Sequence, residues 1–215
     1  EVPPRDVALR WSQYRWMADP GTIYLSATNL LSSPITTLYG QIVAPGFSSW
    51  APAALTVSNA LLQFEPGFRL QVAGDLTVGA AGALELQTNS YLSCGGNVRL
   101  DGGRLVMNVF TQMDCSADLV LTNGGAFYAF SGPTNAAATN GAWVNVAGDI
   151  RIGPSSWILP DADLTNGGVV RFRSVTVAIA TNAGFNADGR GFGGPVGADR
   201  AAGYGHGAGT LVTYG

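Results

Sequence analysis

The sequence predicts an all-β protein, a right-handed parallel β-helix, on the basis of three observations. One small or polar residue followed by an apolar–any–apolar triplet recurs six times, at spacings of 21, 22, 21, 31 and 25 residues. Glycine-rich clusters lie between the copies, and the same residue types return at the same phase. Strand-like units at a near-fixed period are typical of solenoids, and parallel crossovers are almost always right-handed. The copies occupy residues 54–57, 75–78, 97–100, 118–121, 149–152 and 174–177.

A second strand-like segment follows each of the first five copies, at residues 62–64, 84–86, 105–107, 127–129 and 157–159. Both segments alternate in polarity, so one face of each points inward. Two or three strands and tight corners per repeat fit one coil of a β-helix, with coils about 4.8 Å apart. An antiparallel β-sandwich is the alternative that the strand spacing alone leaves open. The predicted inward column consists of Leu55, Leu76, Val98, Leu119, Ile150 and Val175.

The two cysteines support this register independently. Cys94 lies three residues before Asn97, and Cys115 lies three residues before Asp118. They should therefore occupy equivalent positions on successive coils, with Cα atoms about 5 Å apart, which is within disulfide reach. We predict either a Cys94–Cys115 disulfide or two stacked thiols. Two cysteines and one distant histidine are too few ligands for a metal site.

The composition argues against several classes of binding partner and against a membrane-spanning helix. Charged residues make up 12% of the chain, lysine is absent and the formal net charge is −3. This charge argues against binding of nucleic acid or an anionic membrane. No apolar run approaches the roughly 20 residues of a membrane-spanning helix. The chain begins without methionine, which suggests a processed protein or a fragment, and the composition favours an extracellular or cell-surface location.

Three regions differ in character. Residues 1–50 are predicted to form an N-terminal cap, with an aromatic-rich segment at 1–21, followed by irregular first coils. Residues 51–183 form the coils of the β-helix, with an insertion at 131–141 that protrudes from one corner. Residues 184–215 form a glycine-rich extension ending in a candidate assembly strand, composed of Thr210, Leu211, Val212, Thr213 and Tyr214.

The repeated phrase Gly–Asp–Leu/Ile–x–Val/Ile with glycine-rich corners resembles the repeats of large secreted bacterial β-helix proteins, including autotransporter passengers and adhesins. The segment Ala187–Gly194, followed by Gly–Tyr–Gly–His–Gly, resembles the Ala–Asp–Gly–x–Gly stretches of giant bacterial cell-surface proteins. The resemblance covers about residues 52–209. It implies a role in surface structure or adhesion, with the chain itself or cell-surface components as partners.

A polar ladder of Asp75, Asn97, Asp118 and Asp149 is expected to project outward at one corner of the coils. Short polar side chains at such corners bond to nearby backbone and close turns. Ca²⁺ held between adjacent Asp side chains is the alternative reading, since oxygen ligands suit that ion. No cofactor is required by the sequence.

No convincing active site is visible. Pectin-cleaving hydrolases of this fold carry Asn–Thr–Asp, Asp–Asp and Arg–Ile–Lys motifs, which this chain lacks. The nearest carboxyl pair, Asp161 and Asp163, sits in a turn-like setting, and His206 lies between glycines without an orienting partner.

Four aromatic residues are candidates for a sugar-stacking platform, with core packing as the alternative: Tyr91, Tyr128, Trp143 and Trp157.

From the predicted fold, the resemblance and the lack of a visible active site, we expect a non-catalytic structural protein that polymerises by strand addition. The alternative is a carbohydrate-binding or polysaccharide-cleaving β-helix.

Overall fold

A computed structural model describes residues 22–25, 31, 33–36, 38–43, 46–133, 141–163 and 168–191. Their regular structure consists of short β-strands, and no helix occurs among these residues. The strands are β1 (Thr22–Tyr24), β2 (Tyr39–Val43), β3 (Ser49–Trp50), β4 (Leu55–Val57), β5 (Leu61–Gln63), β6 (Arg69–Val72), β7 (Leu76–Val78), β8 (Ala83–Leu86), β9 (Tyr91–Cys94), β10 (Val98–Asp101), β11 (Arg104–Met107), β12 (Gln112–Cys115), β13 (Leu119–Thr122), β14 (Ala126–Phe130), β15 (Ala142–Val146), β16 (Ile150–Ile152), β17 (Trp157–Asp161), β18 (Val170–Arg173), β19 (Val177–Ile179) and β20 (Gly184–Phe185).

These strands form three parallel sheets. Sheet A has the order β1-β2-β5-β8-β11-β14-β17-β20, sheet B has β4-β7-β10-β13-β16-β19, and sheet C has β3-β6-β9-β12-β15-β18. From β2 onward, neighbours within a sheet are three strands apart in sequence, so each coil contributes one strand to every sheet. This arrangement is a parallel β-helix, which confirms the predicted fold class. An antiparallel sandwich is excluded because all the strand pairings are parallel.

The core lies inside the coil and consists of side chains stacked in register. Five predicted members of the inward column are fully buried and are neighbours on successive strands of sheet B: Leu55, Leu76, Val98, Leu119 and Ile150. Each coil contributes similar residues from the other two sheets to one continuous cluster. No single coil buries enough apolar surface to be stable alone, so the column is what stabilises the fold.

The prediction that Val175 is the sixth member of the inward column is wrong. Val177 pairs with Ile150, and Val175 is 73% exposed. The connection from β17 to β18 is longer than its equivalent from β8 to β9. Equivalent positions are therefore 27 residues apart here, from 150 to 177, instead of the 25 expected. On sheet A, Ile158 lies beside Phe127 in the core, at the same 31-residue spacing that separates Leu119 from Ile150.

The corner between sheets B and A has the same backbone conformation on successive coils. One residue there adopts a positive φ, which favours Gly and Asn. The next residue is Gly on three coils, where an added Cβ would collide with a carbonyl oxygen of the preceding coil. The positive-φ residues are Asn59, Ala81, Gly102, Gly124, Ser155 and Asn182, and on the coil of Gly124 the preceding residue, Asn123, also has a positive φ. Turn chemistry and close packing together account for the glycine-rich corners.

Sheet pairing extends beyond the predicted limits of residues 51–183. At the start, β2 and β3 already belong to sheets A and C. At the end, β20 still pairs with β17. The predicted cap at 1–21, most of the insertion at 131–141, the assembly strand at 210–214 and His206 lie outside the described residues.

Candidate functional site

The predicted polar ladder is a chain of hydrogen bonds that ties each coil to the next. The backbone N–H of Asn97 donates to Asp75 Oδ1 at 2.7 Å, and that of Asp118 donates to Asn97 Oδ1 at 3.3 Å. The N–H of Asp149 donates to Asp118 Oδ1 at 2.9 Å. Each side chain therefore accepts the backbone donor that opens the following coil. This geometry matches the structural interpretation of the ladder.

Charge compensation along the ladder comes from arginines on the outer face of sheet B. Arg99 Nε lies 3.8 Å from Asp75 Oδ2. Arg151 Nη2 lies 3.3 Å from Asp118 Oδ2 and 3.1 Å from Asp149 Oδ2, so it bridges the two carboxylates. The hydrogen bond from the Asn97 backbone lowers the pKa of Asp75. Hydrogen bonding from the Thr176 side chain likewise lowers the pKa of Asp149. No group of three or more His, Cys, Asp and Glu suited to a metal occurs within the described part of the chain.

The two cysteines occupy equivalent positions, as predicted. Cys94 and Cys115 are register partners on β9 and β12, both buried, and both are free thiols. Their sulfur atoms also approach carbonyl oxygens, the shortest distance being 3.1 Å from Cys94 Sγ to Gly74 O. The hydrogen bond between the thiols lowers the pKa of Cys115 to about 7 and raises that of Cys94. The stacked-thiol alternative, and not the disulfide, is the one found.

The carboxyl pair of the sequence analysis separates into two environments. Asp161 ends β17 and is buried against Arg190, whose Nη1 lies 2.7 and 2.9 Å from the two carboxylate oxygens. Burial raises the pKa of Asp161 to about 6, against the lowering effect of Arg190. Asp163 is only half-buried. The Asp161–Arg190 pair anchors the segment after β20 to the last coils, since Ala162 N–H also donates to Arg190 O at 2.8 Å.

The four predicted aromatic residues lie on two different faces and do not form one platform. Tyr91 and Trp143 project from sheet C, where arginine guanidinium groups cover their rings. The Arg171 Cζ lies 4.4 Å from the Trp143 ring centroid, and the Arg69 Cζ lies 5.7 Å from that of Tyr91. Tyr91 also donates a 2.6 Å hydrogen bond to the Asp114 carboxylate. These contacts occupy the aromatic residues of sheet C.

Tyr128 and Trp157 lie instead beside a groove at the corner between sheets B and A. The groove has a volume of about 450 Å³ and crosses four successive coils. It is lined by small residues of the corner and by Arg104, Tyr128, Trp157 and Leu159. The sequence did not predict this groove. The small corner residues were visible as glycine-rich turns, but the turns alone do not show that a groove lies beside them.

The last coil leaves inward positions uncovered. Val177 and Ile179 on β19 face the same way as Ile150 and Ile152 on β16, yet they are 48% and 52% exposed, against 0% and 2%. Phe185 on β20 is 38% exposed. We call this surface, formed by Val177, Ile179 and Phe185, the open end. The β-helix therefore ends in apolar side chains and in strands with one unpaired edge among the described residues.

Within the described residues, no helix has the length and apolarity needed to cross a membrane. Comparison with known protein families, with curated proteins and with solved structures finds no match to this chain.

Proposed function

We propose that this protein is a non-catalytic structural protein of the bacterial cell surface or of an extracellular assembly, and that it polymerises head to tail. The observation that carries the proposal is the open end. Apolar patches left at the end of a solenoid, next to unpaired strand edges, are surfaces that another chain can cover.

Sheet continuation is the physical basis of the assembly. A strand added beside β19 would receive the backbone hydrogen bonds that β19 gives to β16 within the chain. The apolar face of that strand would cover Val177 and Ile179. The candidate strand at 210–214 is rich in β-branched and aromatic residues and follows a glycine-rich segment, so it is our proposed donor to a neighbouring molecule. Because donor and acceptor surfaces differ, the contact is heterologous and can repeat from one molecule to the next, which is the geometry that a filament requires.

The remaining surface supports a scaffold role. The polar ladder uses its donors and acceptors within the protein, and arginine covers the aromatic rings of sheet C. A rod held together by repeated hydrogen bonds keeps its corners at fixed positions, which suits a protein whose task is to present or space other groups.

The test compares two substitutions on the same strand. Val177→Asp places a charge on the open end, whereas Ala178→Asp places it on the exposed outer face of β19. Electron microscopy and light scattering should show filaments for the wild type and Ala178→Asp, but monomers for Val177→Asp. Deletion of 203–215 should also give monomers. Circular dichroism establishes that each variant is folded.

Two results would contradict the proposal. One is a wild-type protein that stays monomeric at high concentration. The other is filaments that are unaffected by both Val177→Asp and the deletion, since these changes remove the proposed acceptor and donor.

A further inference from the structure

The groove between sheets B and A has features of a ligand site that a scaffold does not require. Arg104, Ala126 and Trp157 are successive residues of one outward column on β11, β14 and β17. Alanine at the middle position leaves a gap between the arginine and the indole. At one strand spacing per step, the two outer residues are about 9.6 Å apart. A flat ring can enter a gap of that width and contact both side chains.

The side chains of the groove have complementary chemistry. The Arg104 guanidinium is exposed, and it has no ion pair or hydrogen bond with any residue that the structure describes. Trp157 and Tyr128 are half-buried, so each presents part of an aromatic ring to the groove. Ser155 also lines the groove and adds a hydroxyl group. The guanidinium is suited to a carboxylate, and the rings to an apolar face that also carries hydroxyl groups.

The shape favours an elongated ligand. The groove crosses four coils, a length of about 14 Å at three strand spacings, and its volume of about 450 Å³ is within the usual range for ligand sites. A peptide bound by strand addition needs an unpaired sheet edge. The strands under the groove, β8, β11, β14 and β17, are hydrogen-bonded on both sides. Side chains must therefore provide the recognition.

We propose that this groove binds an acidic oligosaccharide, a chain of sugar rings that carry carboxylates. Arg104 pairs with a carboxylate, Trp157 stacks on the apolar face of the ring that occupies the gap over Ala126, and Tyr128 contacts the adjoining unit. The groove lies on the outer side of the coils, whereas the open end consists of inward-facing side chains of the last coil, so the two proposals use different surfaces.

The test measures binding of a galacturonic acid trimer by isothermal titration calorimetry to the full chain. Arg104→Gln is the test variant, and Arg173→Gln is its control, because Arg173 is an exposed arginine on sheet C away from the groove. We expect the first change to weaken binding at least about tenfold and the second to leave it unchanged. A neutral galactose trimer should bind more weakly than the acidic trimer to the wild type.

Several outcomes would overturn the proposal. They are absence of binding at millimolar trimer, equal affinity for the neutral trimer, and an unchanged affinity in Arg104→Gln. Tighter binding of an aspartate-rich peptide than of the acidic trimer would overturn the sugar assignment. Since Arg104 has no polar partner among the described residues, its substitution should not prevent folding, and circular dichroism checks this directly.

Discussion

Stability should depend steeply on which face of a strand is changed, and Leu100 offers the clearest case. Leu100 lies on β10, fully buried between Val78 and Leu121 of the neighbouring coils. Replacing it with alanine removes three carbon atoms from the core. At about 0.8 kcal/mol per buried methylene, the transfer contribution is about 2.4 kcal/mol.

A cavity adds to this loss because the coils cannot close over it. Strands β7 and β13 are hydrogen-bonded to β10 on either side, which fixes the spacing around the missing side chain. The total for Leu100→Ala should therefore be about 3 to 4 kcal/mol, within the range found for buried leucines. This would be a large fraction of the stability of a typical domain.

The preceding residue provides the matched control. Arg99 points outward from the same strand, and its ion pair with Asp75, at 3.8 Å, is exposed to solvent. Arg99→Ala should therefore cost about 1 kcal/mol or less. Urea denaturation followed by circular dichroism and by tryptophan fluorescence measures both changes, and coincident transitions justify a two-state free energy. Equal losses for the two variants, or a loss below about 1 kcal/mol for Leu100→Ala, would refute the in-register core.

Three further outcomes are expected from the polar groups. Because the folded-state pKa of Asp75 is lowered, its ionised form contributes stability that is lost as pH falls through that value. Thermal unfolding of Asp75→Asn should therefore vary less with pH below about 4 than that of the wild type. In the absence of reductant, Cys94 and Cys115 should react with a thiol reagent only after the protein is unfolded, because both thiols are buried. If they do not react in the unfolded protein either, they form a disulfide. Arg190→Ala leaves Asp161 buried and unpaired and should cost about 3 to 5 kcal/mol in urea unfolding, whereas Asp161→Leu combined with Arg190→Met should be closer to the wild type.

The periodic core could be predicted because its signal is local and repeated. Leucine, valine or isoleucine returns at the same phase on five coils, and the cysteines mark the same register on a different sheet. The error at Val175 arose where the chain leaves the period. The spacing from Ile150 to its partner Val177 is 27 residues, two more than predicted, and alternation alone cannot reveal a shift by an even number.

The sites were less accessible from sequence than the fold. The ladder from Asp75 to Asp149 was visible as a repeat, but only coordinates show that each carboxylate accepts the next backbone N–H. The groove was missed because Arg104 and Trp157 are 53 positions apart in sequence and meet only through the register of sheet A. The exposure of Val177, Ile179 and Phe185 at the open end could not be predicted either, because the period of the sequence does not show which segment, if any, packs over the last coil.

The ladder also has an evolutionary consequence. Each ladder side chain accepts a hydrogen bond from the backbone N–H of the ladder residue on the next coil. A whole coil such as 76–97 could therefore be duplicated in frame, and the copy would find matching hydrogen-bond partners on both sides. Each duplication would lengthen the molecule by about 4.8 Å without requiring a new core. Molecular length is thus a property that gene duplication or an engineer can adjust in fixed steps.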